Sequence, residues 1–280
     1  MKTLRGKSVV VTGAASGIGR ALALSCAAEG ARLLLADLDE AGLSAVAQAV
    51  RTQGAQDCHA VVTDTGDEAA ILALAAHAQR LFGGADVVFN NAGVSLVAPV
   101  QSLVSADAHW LMNINFWGVV HGCRAFIPQM RTRPEAVLVN VSSIFAMVSV
   151  PTQSMYNASK AAVRAFSDAL REELRDTSVR VLCVHPGGIR TNIARRARIV
   201  DLGDVADSAE QMHAQFDQVA RTTPEQAAAR ILDALRRRDT RLMIGADARV
   251  LDLLYRAVPS RASAWLVALA RRQRARRAAR

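Results

Sequence analysis

The sequence predicts a doubly wound α/β fold in a single domain, with a parallel sheet of about seven strands and helices on both faces. Short runs rich in aliphatic and β-branched residues alternate with longer helical patterns along most of the 280 residues. These runs are apolar almost throughout, which is typical of strands buried on both faces. Connections long enough to hold a helix make neighbouring strands parallel.

Seven apolar runs, taken in chain order, are the predicted strands. They are SVVVTG (8–13), ARLLLAD (31–37), DCHAVVTD (57–64), DVVFNNAG (86–93), AVLVNVSS (136–143), VRVLCVHPGG (179–188) and RLMIG (241–245). Helices are predicted between them over 17–29, 40–53, 67–81, 107–130, 155–177 and 224–237. This alternation predicts a Rossmann-type architecture.

Two segments fall outside the alternation. Residues 192–222 lie between the sixth strand and the last of these helices and are too long for a simple turn, so we predict a partly helical lid over a site. Residues 246–280 follow the last strand and are predicted to form a helical extension with an arginine-rich tail. Residues 1–245 would then form the main domain.

Composition argues against several classes of protein. The net charge is +9, but six arginines fall in the last ten residues, so the basicity is mostly terminal and we predict no specific nucleic-acid partner. The four cysteines stand singly in apolar stretches, which favours reduced thiols and a cytoplasmic location. The six histidines show no ligand spacing, so we predict no metal site. Neither a signal peptide nor a membrane span is predicted.

The first strand-to-helix turn, VVVTGAASGIG (9–19), predicts a dinucleotide site. Gly13, Gly17 and Gly19 stand where the backbone must turn tightly and let phosphate approach the N–H groups of a helix N-terminus. Asp37 ends the second strand, where an acidic side chain can accept hydrogen bonds from both hydroxyls of an adenosine ribose. A tight connection without ligand would explain the glycines alone, but together with Asp37 they favour a dinucleotide.

The segment SMYNASKAAV (154–163) places Tyr156 and Lys160 four residues apart, on one face of a predicted helix. An ammonium beside a phenol favours the phenolate, and so would the positive charge of an oxidised nicotinamide nearby, so we expect the pKa of Tyr156 to be lowered toward the working pH when both are present. Tyr156 would then be a general acid/base, and Ser143, at the end of the fifth strand, could hold a substrate oxygen. Taken alone, the pair could also be a solvated helix face.

In this order, the motifs resemble the short-chain dehydrogenase/reductase family over about residues 5–245. They are TGAASGIG (12–19), Asp37, Asp64, NNAG (90–93), NINFWG (113–118), NVSS (140–143), YNASK (156–160) and PGGIRT (186–191). The resemblance implies hydride transfer between a nicotinamide cofactor and an alcohol/carbonyl pair, in a homodimer or homotetramer. A dinucleotide-binding protein without turnover is the alternative, and its expected mark, loss of Tyr156 or Lys160, is not present.

The resemblance also implies roles for individual residues. The catalytic set would be Asn115, Ser143, Tyr156 and Lys160, with Asn115 holding a water beside the lysine through its backbone. The cofactor-binding set would be Gly13, Ser16, Gly17, Ile18, Gly19, Asp37, Asp64, Thr65, Asn91, Tyr156, Lys160, Pro186, Gly187, Ile189 and Thr191. The backbone of Ile189 and the hydroxyl of Thr191 would reach the nicotinamide carboxamide.

NAD is the expected cofactor. A 2′-phosphate would meet like-charge repulsion from Asp37, and Leu38 stands where phosphate-binding relatives often place a basic side chain. Arg20 and Arg32 are the competing cations that would favour NADP.

An apolar pocket for a secondary alcohol or ketone is the expected substrate site. Its predicted walls come from the lid and from the residues around the catalytic serine and tyrosine: Ile193, Ile199, Val200, Met212, Phe216, Phe145, Val148, Val150 and Met155. Arg195, Arg196 and Arg198 would be solvated or would grip a distal acidic group. At the C-terminal end (258–280), a helix docked on its own domain is favoured, and weak contact of an amphipathic helix with an anionic membrane surface is the alternative.

Overall fold

The structure is a computed structural model that describes residues 1–278, with side chains as far as Leu269. Its strands are β1 (Ser8–Thr12), β2 (Arg32–Asp37), β3 (Asp57–Val62), β4 (Val87–Asn90), β5 (Leu96–Val97), β6 (Ala136–Val141), β7 (Val179–Pro186), β8 (Arg198–Ile199) and β9 (Arg241–Ile244). Its helices are α1 (Gly17–Ala28), α2 (Glu40–Gln53), α3 (Glu68–Phe82), α4 (Ser105–Met112), α5 (Gly118–Met130), α6 (Ser154–Glu173), α7 (Ala209–Val219), α8 (Pro224–Arg237), α9 (Ala246–Ala257) and α10 (Pro259–Ala278).

Seven of these strands form one parallel sheet in the order β3-β2-β1-β4-β6-β7-β9, while β5 and β8 pair separately. The predicted doubly wound sheet is therefore confirmed. The chain winds outward from β1 through β2 to β3, and then returns to place β4 on the other side of β1. At this reversal the connections leave in opposite directions, which opens a crevice at the carboxyl ends of β1 and β4.

Both faces of the sheet are buried because alternate side chains of a strand enter different cores. Val9 and Val11 of β1 belong to the core that also contains residues of α1, α2 and α8. Val10, between them, belongs to the core that contains residues of α3, α5 and α6. This arrangement explains why the strand sequences are continuously apolar rather than alternating.

Helix α8 begins and ends where the sequence predicts. Thr223 is the N-cap residue and forms a capping box with Gln226, and Pro224 occupies the first helical position. These residue types mark a helix start in the sequence. The predicted helix over 107–130 is wrong as a single α-helix. A π-helical turn over Asn113–Trp117 separates α4 from α5. The backbone stays helical through this turn, so no capping or breaking residue marks it in the sequence.

The C-terminal helices pack beside the segment that follows β6. A third core cluster joins Ile144, Met147 and Val148 of that segment to Ala248 of α9 and Ala262 of α10. Residues 192–222 contain α7, in line with a partly helical segment. Among the described residues, no helix combines the length and apolarity that a bilayer crossing requires. The side chains of the arginine-rich tail (271–280), invoked for membrane contact, lie outside the described residues.

Candidate functional site

A cavity of about 2240 Å³ opens at the carboxyl ends of the central strands. Most of the residues singled out in the sequence line it: Gly13, Ser16, Gly17, Ile18, Asp37, Asp64, Thr65, Asn91, Ser143, Tyr156, Lys160, Pro186, Gly187, Ile189 and Thr191. Gly19 and Asn115 do not line it and are buried behind it. Motifs spread over nearly 180 residues of sequence thus meet in one place.

The glycine-rich turn between β1 and α1 could receive a phosphate. Gly13 and Gly17 have φ angles of 66° and 55°, in the left-handed region that favours glycine. A Cβ atom on Gly19 would lie 2.0 Å from the carbonyl oxygen of Gly13, so glycine there permits close packing of helix on strand. Ser16 caps α1 without a side-chain hydrogen bond to the helix amides. Those N–H groups therefore remain available to an anion.

Asp37 at the end of β2 keeps unused acceptor capacity. Its Oδ2 accepts a hydrogen bond from the backbone N–H of Ala15 (2.8 Å), and its Oδ1 accepts one from that of Asp39 (3.0 Å). Each carboxylate oxygen has a further lone pair that could accept from a ribose hydroxyl. Leu38 beside it is 59% exposed and also lines the cavity.

The cations expected to compete for a 2′-phosphate lie elsewhere. Arg32 stands at the opposite end of β2 from Asp37, where it donates to Ser8 Oγ (2.7 Å) and lies 5.2 Å from the Phe82 ring centroid. Arg20 is exposed and is not among the residues that line the cavity. Arg196 does line it, and its guanidinium contacts Asp39 Oδ2 at 3.4 Å.

Asn91 joins the two strands at the crevice. Its backbone N–H donates to Thr12 Oγ1 (3.0 Å), and its side-chain Nδ2 donates to the carbonyl oxygens of Thr12 (2.9 Å) and Gly13 (3.2 Å). These bonds hold the carboxyl end of β4 against that of β1. In the loop after β3, Asp64 Oδ1 accepts from the backbone N–H of Gly66 (2.8 Å) and so shapes the neighbouring wall.

Tyr156 lies in the first turn of α6 and faces Ser143, which follows β6. Burial raises the pKa of Tyr156 above its usual 10, and a hydrogen bond with the Ser143 side chain acts in the opposite direction. The expected lowering of the Tyr156 pKa is therefore not found for the chain alone, because loss of hydration outweighs that bond. Ser143 Oγ also accepts from the backbone N–H of Phe145 (3.1 Å).

Lys160 is almost fully buried one turn further along α6. Its Nζ donates to the carbonyl oxygen of Val141 (3.1 Å) and lies 5.8 Å from the Tyr156 ring centroid. Burial lowers the pKa of Lys160 to about 8. A Cβ atom on Gly93 would lie 3.3 Å from Nζ, so the glycine in NNAG leaves room for the ammonium.

Asn115 occupies the π-helical turn and fastens three segments together. Its Oδ1 accepts from the backbone N–H of Val94 (2.8 Å), and its Nδ2 donates to the Val94 carbonyl (2.9 Å) and to Ser159 Oγ (3.3 Å). Ser159 Oγ in turn donates to the backbone carbonyl of Tyr156 (2.8 Å). The side chain of Asn115 therefore ties the loop after β4 to α6.

The turn after β7 forms the wall opposite the glycine-rich turn. The backbone N–H of Gly187 donates to the carbonyl of Ile244 in β9 (2.9 Å). A Cβ atom on Gly17 would lie 3.1 Å from Thr191 Cγ2, so the two turns face each other across the crevice. Ile189 is buried, Thr191 is half-buried, and the side chain of Arg190 between them is exposed.

Comparison with known proteins gives a consistent assignment. The sequence profile described as short chain dehydrogenase matches residues 7–200. The chain is 39% identical to the putative oxidoreductase SadH of Mycobacterium tuberculosis, over 93% of this chain and 94% of that protein. The chain belongs to the short-chain dehydrogenase family. It is an oxidoreductase of that family.

Other relatives in the family agree. The chain is 37% identical to dehydrogenase/reductase SDR family member 7B of Mus musculus, over 71% of this chain and 62% of that protein. A crystal structure of a short chain dehydrogenase/reductase from Burkholderia phymatum in complex with NAD superposes with a TM-score of 0.82 at 31% identity. That superposition covers 92% of this chain and 95% of the other.

The apolar half of the cavity was predicted only in part. Phe145, Val150, Ile193, Met212 and Phe216 line it, as expected. The remaining predicted wall residues, Val148, Met155, Ile199 and Val200, are not among the lining residues. Val148 is fully buried in the third core cluster instead, because α9 and α10 cover it.

The C-terminal helices supply lining residues that the sequence analysis missed. Asp247 and Leu251 of α9, and Leu266 and Val267 of α10, face the cavity. The apolar side chains of Leu251, Leu266 and Val267 are the available sequence signal, because no motif marks this part of the chain.

The three arginines of residues 192–222 named in the sequence analysis are paired with carboxylates. Arg195 pairs with Asp217, Arg196 with Asp39, and Arg198 with Asp107, while Arg198 also stacks on Trp110. Among the described residues, no group of three or more His, Cys, Asp or Glu side chains is arranged to hold a metal ion.

Proposed function

We propose that this chain interconverts a secondary alcohol and a ketone with a nicotinamide cofactor, and that NAD(H) is preferred over NADP(H). The observation that carries the proposal is the meeting of Ser143, Tyr156 and Lys160 in the same cavity as the glycine-rich turn and Asp37. A dinucleotide bound along that cavity would end beside the hydroxyl pair formed by Ser143 and Tyr156. The NAD complex of the Burkholderia phymatum relative supports the same choice of cofactor.

The hydroxyl pair would handle the substrate oxygen and its proton. In reduction, Tyr156 would donate its phenolic proton to the carbonyl oxygen, and in oxidation its phenolate would accept the hydroxyl proton. Ser143 would hold the oxygen within reach by hydrogen bonding. The bound nicotinamide would supply or accept the hydride. Lys160, buried behind the ring, would favour the phenolate form of Tyr156.

Asp37 supports the preference for NAD(H). Two of its acceptor positions are used by the backbone N–H groups of Ala15 and Asp39, and this anchors the carboxylate at the end of β2. Its remaining lone pairs would accept from both ribose hydroxyls, whereas a 2′-phosphate would be repelled. Arg196, the cation that lines this part of the cavity, is engaged by Asp39.

The substrate would lie against apolar walls. Ligand pockets commonly measure about 300–1,000 Å³, so a cavity of about 2240 Å³ has room for both a dinucleotide and a second ligand. Beyond Tyr156, the walls come from Phe145, Met212, Phe216 and Leu266. Residues 192–222 would act as the lid over this apolar part of the cavity. A bulky or extended apolar ketone would fit that part better than a small polar one.

Assembly and location remain predictions. We propose that residues 1–245 form the catalytic domain and residues 246–280 a C-terminal extension. We also propose that the chain assembles as a homodimer or homotetramer and that its tail makes weak contact with a membrane surface. The four cysteines are buried and free, which fits a reducing, cytoplasmic compartment.

Substitution of Tyr156 tests the function. We expect Tyr156→Phe to lower kcat by roughly a hundredfold or more, the scale of a lost general acid/base, while the variant still binds NADH. Tyr255→Phe is the matched control, because the chain has only these two tyrosines and Tyr255 packs in the third core cluster. A panel of ketones and alcohols with both cofactors identifies the substrate for the assay. Near-normal kcat in Tyr156→Phe would refute the proposed role.

A further inference from the structure

The turn after β7 contains two adjacent glycines, and contacts from outside the turn hold it in place. The backbone N–H of Gly188 donates to Asp247 Oδ2 at 2.6 Å, and the carbonyl of Gly188 accepts from the backbone N–H of Thr222 at 3.4 Å. A Gly-Gly pair has the greatest conformational freedom of any dipeptide. Its geometry in the folded chain therefore depends on such contacts.

The Asp247 carboxylate is wedged between two glycines. A Cβ atom on Gly187 would lie 2.2 Å from Oδ2, and one on Gly245 would lie 2.2 Å from Oδ1. The φ angle of Gly187 is outside the left-handed region, so glycine is needed at 187 for this close approach rather than for the backbone conformation. Asp247 also lies in the first turn of α9, where a helix N-terminus favours negative charge.

The turn leads directly to Ile189 and Thr191, which line the cavity together with Asp247 itself. We propose that Asp247 is a positioning residue for the nicotinamide end of the cofactor. By fixing the N–H of Gly188, its carboxylate sets the position of the Ile189 backbone and the Thr191 hydroxyl. This inference rests on the proposed function, and it assigns a role to a C-terminal residue that lies beyond the matched family profile (7–200).

Equilibrium binding to two ligands tests the inference. ADP-ribose shares every part of NADH except the nicotinamide, so a positioning role predicts that Asp247→Ala weakens binding of NADH about tenfold, the scale of a lost hydrogen bond to a charged acceptor, and leaves ADP-ribose binding unchanged. Asp247→Asn keeps an oxygen acceptor for Gly188 and should restore most of the NADH affinity. Asp239→Ala, which removes a half-buried carboxylate before β9 that pairs with Arg237, is the matched control.

The outcomes distinguish failure of the positioning role from failure of the proposed function. Equal weakening of NADH and ADP-ribose, or unchanged NADH affinity in Asp247→Ala, would overturn the positioning role. If Asp247→Ala does not fold, Asp247→Ser provides the same comparison, because its shorter side chain falls short of Gly188. Should the unmodified chain prefer NADPH, the pair becomes NADPH and 2′-phospho-ADP-ribose. Failure of the unmodified chain to bind any of these ligands would instead overturn the proposed function.

Discussion

Replacing Lys160 with methionine should make the protein more stable while abolishing the proposed chemistry. Lys160 is 3% exposed, and burial lowers its pKa from 10.5 to about 8. At neutral pH the folded chain must therefore hold a poorly hydrated ammonium, which lowers the free energy of unfolding by about 3 kcal/mol relative to an unperturbed lysine. Methionine has similar length and no charge. Loss of the hydrogen bond to the Val141 carbonyl offsets about 1 kcal/mol, so we expect a net gain of about 2 kcal/mol.

The sign of the pH dependence follows from the lowered pKa. Below pH 8 both the folded and unfolded states carry the proton on Lys160, and the destabilisation is complete. Between pH 8 and 10.5 the unfolded state binds more protons than the folded state, so stability rises with pH. For these pKa values, the Lys160 contribution should improve by about 1 kcal/mol from pH 7 to pH 9.

Urea unfolding of the unmodified chain and of Lys160→Met at pH 7 and pH 9 measures this difference. Other groups also titrate in the range, including the buried cysteines, whose raised pKa values lower stability above pH 9. Because both proteins contain them, the difference between the two proteins isolates Lys160. The reasoning is refuted if Lys160→Met is less stable at pH 7, or if its advantage does not shrink at pH 9.

Two further predictions concern cofactor and substrate selectivity. We expect the unmodified enzyme to favour NAD(H) by at least roughly tenfold in kcat/KM, or about 1.4 kcal/mol, and Asp37→Ala with Leu38→Arg to move that preference toward NADP(H). Leu38→Arg alone measures the effect of the added cation, and an unmodified enzyme that favours NADP(H) would contradict the role of Asp37. Val267→Trp should fill part of the apolar cavity and lower kcat/KM for bulky ketones without changing NADH affinity, whereas Leu269→Trp, at a site that is 55% exposed on the same helix, should not. Equal losses in the two tryptophan variants would argue against a substrate site there.

The fold could be predicted from the sequence because its signals are local. The β1 and β2 runs are apolar along their length since each strand contributes to both cores. Helix α2 begins after Asp39, which accepts from the backbone N–H of Gly42, and ends at Gly54 in a left-handed conformation. Both caps are marked by residue type. The π-helical turn at Asn113–Trp117 has no comparable mark, because it depends on the tertiary bonds of Asn115.

The site could be predicted where its residues follow strand ends, and not where long-range contacts place them. Ser143 and Pro186 lie at the carboxyl ends of β6 and β7, so parallel topology alone brings them to one edge. Asp247 reaches Gly188 from 59 residues further along the chain, and no motif marks it. The raised pKa of Tyr156 in the chain alone also has no local mark, since the extent of its burial depends on segments that pack around it.

The choice of lysine at position 160 illustrates how the site constrains residue type. Arginine outnumbers lysine 31 to 3 in this chain, yet the buried cation behind Tyr156 is a lysine. A guanidinium would bring five donors into a space where Nζ donates to the Val141 carbonyl and lies over an aromatic ring, and it would keep its charge at any working pH. A lysine needs fewer acceptors, and with its pKa at about 8 it can release its proton. Burial therefore makes position 160 unfavourable for arginine, the common cation of this chain, and under the proposed function it favours a lysine, whose charge can change near the working pH.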